Sequence, residues 1–294
     1  LLSEASQKIL AEVGRWATER RISVYLRKNG EGDLRHLVIR EGKTTGERLV
    51  NLVGKSTTPH LPELAERLRV LGVPITTFLF SAYDGLSDVA GSDKRHVYWG
   101  EGSIRERLGR VTFTVTPASF MQTNTRAAER MVDLLRSWSD EDGASLSRKT
   151  LIDLYCGSGA IGLNLASAFD EVIGIEINPD ALRDAWRTAK ENGIPNARFI
   201  EGRAEEAAAQ LPVGDRAAST TVVVDPPRAG LHAKLVKTLL EWSAPRLYYV
   251  SCNPESLGRD LRLFVEKYRI EDVQPIDFFP HTDHIETAVR LKLK

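Results

Sequence analysis

A cysteine and a glutamate near the end of the chain have the chemistry that modification of a pyrimidine ring requires. Cys252 follows an apolar run, and Glu286 closes the segment PHTDHIE. A thiolate can add to carbon 6 of a uracil and make carbon 5 reactive toward an electrophilic methyl group. A carboxylate can then remove the carbon-5 proton. We expect helix N-termini to lower the pKa of the thiol. The structural alternatives are a small buried residue at 252 and an exposed position on an amphipathic strand at 286.

A glycine-rich turn predicts a site for a nucleotide-like cofactor. The segment Asp153–Gly162 reads DLYCGSGAIG and places G-x-G-x-x-G between an apolar run and a helix. Glycines there let the backbone approach a ligand closely. Glu176 lies 19 residues after Gly157, at the end of the next apolar run, where its carboxylate can accept hydrogen bonds from a ribose. This arrangement fits a dinucleotide site, an S-adenosylmethionine site or a purely structural turn.

A second motif favours the methyl donor over a dinucleotide. The residues DPPR at 225–228 end a later apolar run, at the crevice where doubly wound sheets bind their ligands. Two prolines fix the backbone just after the Asp225 carboxylate. A proline turn that only caps the strand is the structural alternative. A hydride-transferring enzyme has no evident use for this loop, or for a cysteine at the end of the following strand.

Three other groups of residues are interpreted as structural. His281, Asp283 and His284 could ligate a metal, but no third histidine or cysteine lies at ligand spacing, so we predict no metal site. Cys156 is a rival nucleophile, yet it lies in the cofactor turn itself, and we predict that it packs in the core. The basic stretch Arg105–Arg110 is interpreted as solvated surface.

Strands and helices must alternate from Arg126 onward to position these residues. Short apolar runs separated by helical stretches are typical of βαβ units and a doubly wound parallel α/β sheet. The alternation of apolar and polar residues over Ile285–Lys292 predicts a last, antiparallel strand. The other predicted strands are Leu151–Tyr155, Val172–Glu176, Thr221–Asp225 and Tyr248–Ser251, and the predicted helices run through Leu163–Ala168 and over Asp180–Asn192.

Residues 1–115 predict a smaller α+β unit. The predicted elements are helices over Glu4–Glu19 and Pro62–Leu71, strands at Ile22–Leu26, Leu34–Arg40 and Arg48–Leu52, and a hairpin of His96–Trp99 with Val111–Val115 around Gly100 and Gly102. The change of pattern predicts two domains, an α+β domain over 1–118, truncated at its start, and a catalytic domain over 119–294.

Composition excludes several classes of protein. The 294 residues are 42% hydrophobic, and no apolar stretch approaches the roughly 20 residues that a bilayer span needs. Two cysteines are too few for a disulfide scaffold. We therefore predict a cytoplasmic monomer without membrane contact. Net charge is zero, but residues 1–125 hold 18 basic against 14 acidic side chains, which is compatible with RNA as a partner.

Together the motifs resemble the uracil-C5 RNA methyltransferase family, which makes 5-methyluridine in bacterial ribosomal and transfer RNA. Leu37–Gly42 resembles the family's central domain. The other matching pieces occur in order at Ser119–Asn124, Asp153–Gly159, Glu176, Asp225–Gly230, Ser251–Pro254 and His281–Glu286. Many members also carry an amino-terminal RNA-binding barrel and a four-cysteine iron–sulfur cluster. The sequence contains neither, so we expect either a lost upstream segment or a minimal member.

The resemblance implies a class I methyltransferase fold and a role for each matching residue. Cys252 is implied as the nucleophile and Glu286 as the base. S-adenosylmethionine is implied as the cofactor, with contacts from Gln122, Tyr155, Gly157, Gly159, Glu176 and Asp225, the last of which could also touch the uracil. We expect a uridine of 23S ribosomal RNA as the substrate, with transfer RNA as the alternative.

Other functions remain as alternatives. A methyltransferase for exocyclic amino groups normally has an aromatic residue after its prolines, where this chain has Arg228. A cytosine-C5 methyltransferase usually has its cysteine after proline, whereas Cys252 precedes Asn-Pro. A nucleotide-binding dehydrogenase would bind NADH instead of S-adenosylmethionine. A non-catalytic RNA-binding protein would have little reason to keep Cys252, Glu286 and Asp225 together.

Overall fold

The computed structural model describes residues 3–86, 94–143, 149–211 and 213–294. The chain divides into two compact units, one of Leu1–Arg107 with Phe113–Ser119 and one of Leu108–Thr112 with Phe120–Lys294. The division into domains 1–118 and 119–294 stays a prediction. None of the described helices is both long and apolar enough to cross a bilayer.

The first unit is a four-stranded sheet with helices packed on it. Its sheet has the order β1-β2-β3-β4, in which β2 and β3 are parallel and the other pairs antiparallel. The helix predictions are confirmed, because α1 has the predicted bounds and α2 begins and ends within two residues of them. The elements are α1 (Glu4–Glu19), β1 (Leu34–Glu41), β2 (Arg48–Gly54), α2 (Leu61–Arg69), β3 (Thr77–Ala82) and β4 (Arg95–Trp99).

The predicted strand at Ile22–Leu26 is wrong. This segment forms only two isolated bridges, Val24 with Leu34 and Leu26 with Glu31. Gly32 turns the chain back at φ +98°, so close to the segment that a Cβ on it would lie 2.2 Å from the Val24 carbonyl oxygen. The tight turn leaves no length over which a regular ladder could form.

The predicted hairpin of His96–Trp99 with Val111–Val115 is also wrong. Strand β4 pairs with β3, a strand that was not predicted from the sequence. Strand β5 (Ile104–Leu108) pairs with β6 (Val111–Val115). Gly100, at φ +76°, turns over the start of β3, where a Cβ would lie 2.5 Å from the Thr76 carbonyl oxygen. The basic stretch at 105–110 therefore lies on a strand and its turn, where Glu106 is buried between exposed arginines.

The second unit is a doubly wound α/β structure, as predicted. Its seven strands have the order β12-β13-β11-β10-β7-β8-β9; the run from β11 to β9 is parallel, and β13 is antiparallel to both of its neighbours. The helices are α3 (Thr125–Gly143), α4 (Ala160–Leu165), α5 (Pro179–Glu191), α6 (Ala204–Ala207), α7 (Ala233–Trp242) and α8 (Pro254–Phe264). The strands are β7 (Thr150–Leu154), β8 (Glu171–Glu176), β9 (Ala197–Glu201), β10 (Thr220–Val224), β11 (Arg246–Ser251), β12 (Tyr268–Ile276) and β13 (Glu286–Leu293).

The sheet order creates the crevice that holds the site. The chain adds β8 and β9 on one side of β7 and β10 and β11 on the other. Helices that follow neighbouring strands on the two sides of such a switch point diverge, and the carboxyl ends of the strands stay open there. Strands β7 and β10 are buried at every position, so most of the residues that can meet a ligand lie just beyond their ends.

Candidate active site

A cavity of about 740 Å³ lies at the carboxyl ends of the central strands of the second unit. Seven of the eight residues predicted to act here line it: Gln122, Tyr155, Gly157, Glu176, Asp225, Cys252 and Glu286. The eighth, Gly159, does not line the cavity. A Cβ on it would lie 2.9 Å from Leu163 Cδ1, and its φ of +82° lets the chain enter α4.

The glycine turn leaves a face of backbone open to the cavity. Tyr155 and Gly157 both have positive φ, +63° and +56°, and the Cβ position of Gly157 meets nothing within 4 Å. The Gly157 N–H donates to Glu176 Oε2 at 3.1 Å, while Glu176 Oε1 accepts from Asn178 N–H at 2.8 Å. The turn and the end of β8 therefore hold the Glu176 carboxylate, and each oxygen keeps a lone pair for a ligand.

Asp153 is a buried carboxyl group that also lines the cavity and was not among the predicted site residues. It is 1% exposed, and its Oδ2 accepts from Gly162 N–H at 2.8 Å. Oδ1 has no hydrogen-bond partner among the described residues. Burial, with a smaller contribution from the charge of Glu176, raises the pKa of Asp153 to about 7. The sequence could have revealed this residue, because a carboxylate inside an otherwise apolar strand is costly to bury.

Cys252 and Glu286 occupy facing positions at the ends of two neighbouring strands. In the antiparallel ladder Ser251 pairs with Thr287, so the next residues opposite each other are Cys252 and Glu286. The interpretation of Glu286 as an exposed strand position is wrong, since it is 5% exposed. Strand β13 is an inner strand flanked by β11 and β12. Burial raises the pKa of Glu286, and the positive charge of Arg228 opposes this.

The expectation of a lowered thiol pKa is also wrong. Burial, then the negative charges of Glu286 and Asp225, raise the pKa of Cys252, and Arg228 only partly opposes them. The thiol does lie next to the start of α8, but a buried pocket with two carboxyl groups disfavours a further negative charge more strongly. Burial and the charges of Glu286 and Asp153 raise the pKa of Asp225 to about 8.

Arg228 joins the site although the prediction gave it no role. Its guanidinium hydrogen-bonds the side chain of Cys252 and lies 2.6 Å from Nδ1 of His284. The sequence signal that could have pointed to Arg228 is its position as a cationic residue directly after Asp-Pro-Pro. His284 thus contacts a guanidinium, and the described part of the chain contains no cluster of three or more potential metal ligands.

Cys156 is buried against the sheet. It is 7% exposed, and its Sγ lies so close to Gly174 that a Cβ there would be 2.8 Å away. Burial, followed by the charges of Asp153 and Glu176, raises its pKa well above the usual value.

Gln122 belongs to a loop that the side chain of Asn124 holds in place. The Asn124 side chain donates to the Phe278 carbonyl oxygen at 3.2 Å and accepts from Ala127 N–H, at the start of α3, at 3.1 Å.

Comparison with curated proteins finds relatives along the whole chain. An uncharacterized RNA methyltransferase of Clostridium tetani is 36% identical over 298 aligned residues, which cover 100% of this chain and 64% of that protein. Another, from Halalkalibacterium halodurans, is 37% identical and covers 99% of this chain and 63% of that protein. The chain therefore spans a little under two thirds of the length of these relatives.

Comparisons with solved structures and with family models also find methyltransferases. The tRNA (uracil-54, C5)-methyltransferase of Pyrococcus abyssi, solved in complex with S-adenosyl-L-homocysteine, has a TM-score of 0.81 at 32% identity; the match covers 98% of this chain and 67% of that one. This confirms the predicted class I methyltransferase fold. The model of the tRNA (uracil-5-)-methyltransferase family matches residues 89–294. As its motifs predicted, the chain belongs to the tRNA (uracil-5-)-methyltransferase family.

Proposed function

We propose that this protein transfers a methyl group from S-adenosylmethionine to carbon 5 of a uridine in RNA. The observation that carries the proposal is the facing pair of Cys252 and Glu286 in one cavity with the glycine turn and Glu176. A nucleophile and a base are needed on the same pyrimidine, and a nucleotide-like methyl donor must lie beside it. Membership of the family supports the same reaction.

The residues around the cavity fit S-adenosylmethionine. Asp153 Oδ1 is a buried acceptor with no partner among the described residues, which suits a ligand that carries ammonium and sulfonium charges. We propose that Glu176 accepts hydrogen bonds from the ribose hydroxyls, that Gln122 binds the methionine end, and that Tyr155 borders the donor sulfur. Gly157 offers open backbone, and Gly159 shapes the turn. When bound, the cofactor supplies an electrophilic methyl group.

The proposed reaction begins with addition of the Cys252 thiolate to carbon 6 of the uracil. The new S–C6 bond pushes the C5–C6 electron pair toward carbon 5, which attacks the methyl carbon as the bond from that carbon to the sulfonium sulfur breaks. Glu286 then takes the carbon-5 proton. The electrons of the C–H bond re-form the C5–C6 double bond and expel the thiolate. The enzyme is then restored once Glu286 releases the proton to solvent.

The electrostatics of the cavity suit the second half of this reaction better than the first. A Glu286 with a raised pKa is a stronger base near neutral pH. The raised pKa of Cys252 means that the thiol must lose its proton before it can attack. Arg228 is the cation that favours the thiolate. We therefore propose that Arg228 supports the nucleophile, and that Asp225 faces the reacting ring or the cofactor beside it.

For the RNA, we propose a uridine of 23S ribosomal RNA, because the ribosomal branches of the family are varied. A transfer RNA uridine is the second candidate, favoured by the Pyrococcus abyssi enzyme, whose name gives uracil-54 of tRNA as its target. That the protein is a cytoplasmic monomer remains a prediction that light scattering and cell fractionation would test.

Labelled methyl transfer to total RNA tests the proposal. The protein is incubated with S-adenosylmethionine labelled in its methyl group and with RNA from cells that lack the gene. Label should appear as 5-methyluridine, and mapping should place it in 23S ribosomal RNA, with Cys252→Ala as the inactive control. Label in transfer RNA would favour the second candidate. Label in another base, or an enzyme that binds NADH and not S-adenosylmethionine, would refute the function.

A further inference from the structure

The loop that carries Arg228 is held by the helix that follows Cys252. We call Arg228–Leu231 the arginine loop. The Arg228 carbonyl oxygen accepts from Asn253 Nδ2 at 3.0 Å, and Asn253 Oδ1 caps α8 by accepting from Glu255 N–H at 3.0 Å. One side chain therefore ties the arginine loop to the start of α8, directly beside the thiol.

Two further residues of α8 hold the rest of the arginine loop. Leu231 N–H donates to Asp260 Oδ2 at 2.8 Å, and Arg259 donates to the Ala229 carbonyl oxygen at 2.8 Å. Between these bonds lies Gly230, at φ +80°. A Cβ there would lie 2.5 Å from an Arg259 nitrogen and 2.6 Å from Asp260 Oδ2. Loop and helix are thus in contact at successive residues, with no room for a side chain.

Asp260 links this contact to the sheet. It is 1% exposed, and besides Leu231 N–H its Oδ2 accepts from the Tyr249 hydroxyl of β11 at 2.8 Å. Its Oδ1 accepts from Arg259 Nε at 2.9 Å. A buried charge is tolerated when its oxygens are fully hydrogen-bonded. Here the partners come from the loop, the strand and the helix that meet around Cys252.

We propose that Asp260 is a positioning residue which, with Arg259 and Asn253, holds the arginine loop on α8 so that Arg228 stays against Cys252. None of the three needs to touch substrate. The proposal gives a reason for a buried carboxylate that does not itself line the cavity. It rests on the proposed function only for its importance to catalysis, because the contact between Arg228 and the thiol exists without any ligand.

The charges that act on Cys252 come from three elements. Glu286 on β13 and Asp225 after β10 raise the thiol pKa, and Arg228 lowers it. If the arginine loop moves away from α8, the two carboxyl groups remain and the cation leaves. Alkylation of Cys252 should then require a higher pH. A merely structural role for Asp260 would lower stability without moving that pH profile.

The experiment measures the rate of Cys252 alkylation by iodoacetamide from pH 6 to pH 11.5, without RNA or cofactor, in a Cys156→Ala background. Arg228→Gln sets the full effect, an upward shift of the midpoint by about one pH unit and about tenfold slower alkylation below both midpoints. Asp260→Asn should give most of that shift. Asp260→Asn combined with Arg228→Gln should add little to Arg228→Gln alone, because both remove the same contact.

Tyr268→Phe is the matched control, because it removes another buried hydrogen bond of the second unit, from its hydroxyl to the Ala244 carbonyl oxygen at 2.9 Å. It should leave the midpoint unchanged. If Asp260→Asn does not fold, Asn253→Ser replaces it, since serine still caps the helix but is too short to keep the bond from the Asn253 side-chain amide to the Arg228 carbonyl oxygen. A wild-type profile for the folded variant would overturn the proposal, whatever the methyl transfer assay shows.

Discussion

Replacement of Asp153 by asparagine should make the protein more stable, and the gain should depend on pH. The carboxyl group is 1% exposed, and its pKa is raised from 3.8 to about 7. In the unfolded chain the group loses its proton near pH 4, while in the folded protein it keeps the proton until about pH 7. The unfolded state therefore binds fewer protons over this interval, and stability falls as pH rises.

The magnitude follows from the width of the interval. About three pH units at about 1.4 kcal/mol each amount to a loss of about 4 kcal/mol between pH 4 and pH 7, an order-of-magnitude value. The asparagine side chain would have no proton to lose, while its amide oxygen could still accept from Gly162 N–H. The free energy of unfolding of the variant should equal that of the wild type near pH 4. The difference in favour of the variant should grow up to pH 7 and stay constant above pH 7.

Urea unfolding of both proteins at several pH values from 4 to 9 measures the difference. Asp170→Asn is the matched control, because Asp170 is an exposed aspartate of the same unit. It should show no comparable growth of the difference with pH. A constant difference between the Asp153 variant and the wild type across this range would refute the reasoning, since it would mean that the buried group titrates as it does in water.

Three further predictions concern the reaction itself. RNA with 5-fluorouridine cannot lose a carbon-5 proton, so it should trap a covalent enzyme–RNA complex that survives a denaturing gel. Cys252→Ala should abolish this complex and Cys156→Ala should preserve it. The reverse pattern would identify Cys156 as the nucleophile. Glu286→Gln should slow turnover by about 10²–10⁴-fold and accumulate a similar complex with ordinary RNA, whereas wild-type turnover would remove Glu286 from the mechanism. In calorimetry, Glu176→Ala should weaken S-adenosylmethionine binding through two lost hydrogen bonds of about 1.5–3 kcal/mol each; unchanged affinity would exclude the ribose contact.

The location of the candidate site could be predicted because it depends on residue types at strand ends. Each apolar run that predicted a strand in the second unit is a strand, and the polar residues directly after these runs meet at one edge of the sheet. Asp225 and Cys252 follow β10 and β11, and parallel strands that are neighbours bring such positions together whatever the intervening helices contain. Local patterns were sufficient for this part of the molecule.

Pairing between distant segments could not be predicted in the same way. The interpretation of His96–Trp99 as a hairpin partner of Val111–Val115 placed two genuine strands together, but β4 pairs with β3 and β6 with β5. Strands β9 and β12, at the two edges of the large sheet, were also missed. Edge strands are partly exposed, so their apolar pattern is weaker than that of the buried central strands.

The sequence by itself determined which residues could act as nucleophile, base and cofactor contacts, and the order of the strands and helices that present them. Only the tertiary structure decided how those groups behave. Glu286 is buried at the start of β13, an inner strand of the sheet, and the thiol pKa of Cys252 is raised first by burial and then by the two carboxyl groups that share its cavity. Residue type and periodicity are local properties of the chain. Burial and the distance between charges are set by which strands become neighbours, and that depends on the whole fold.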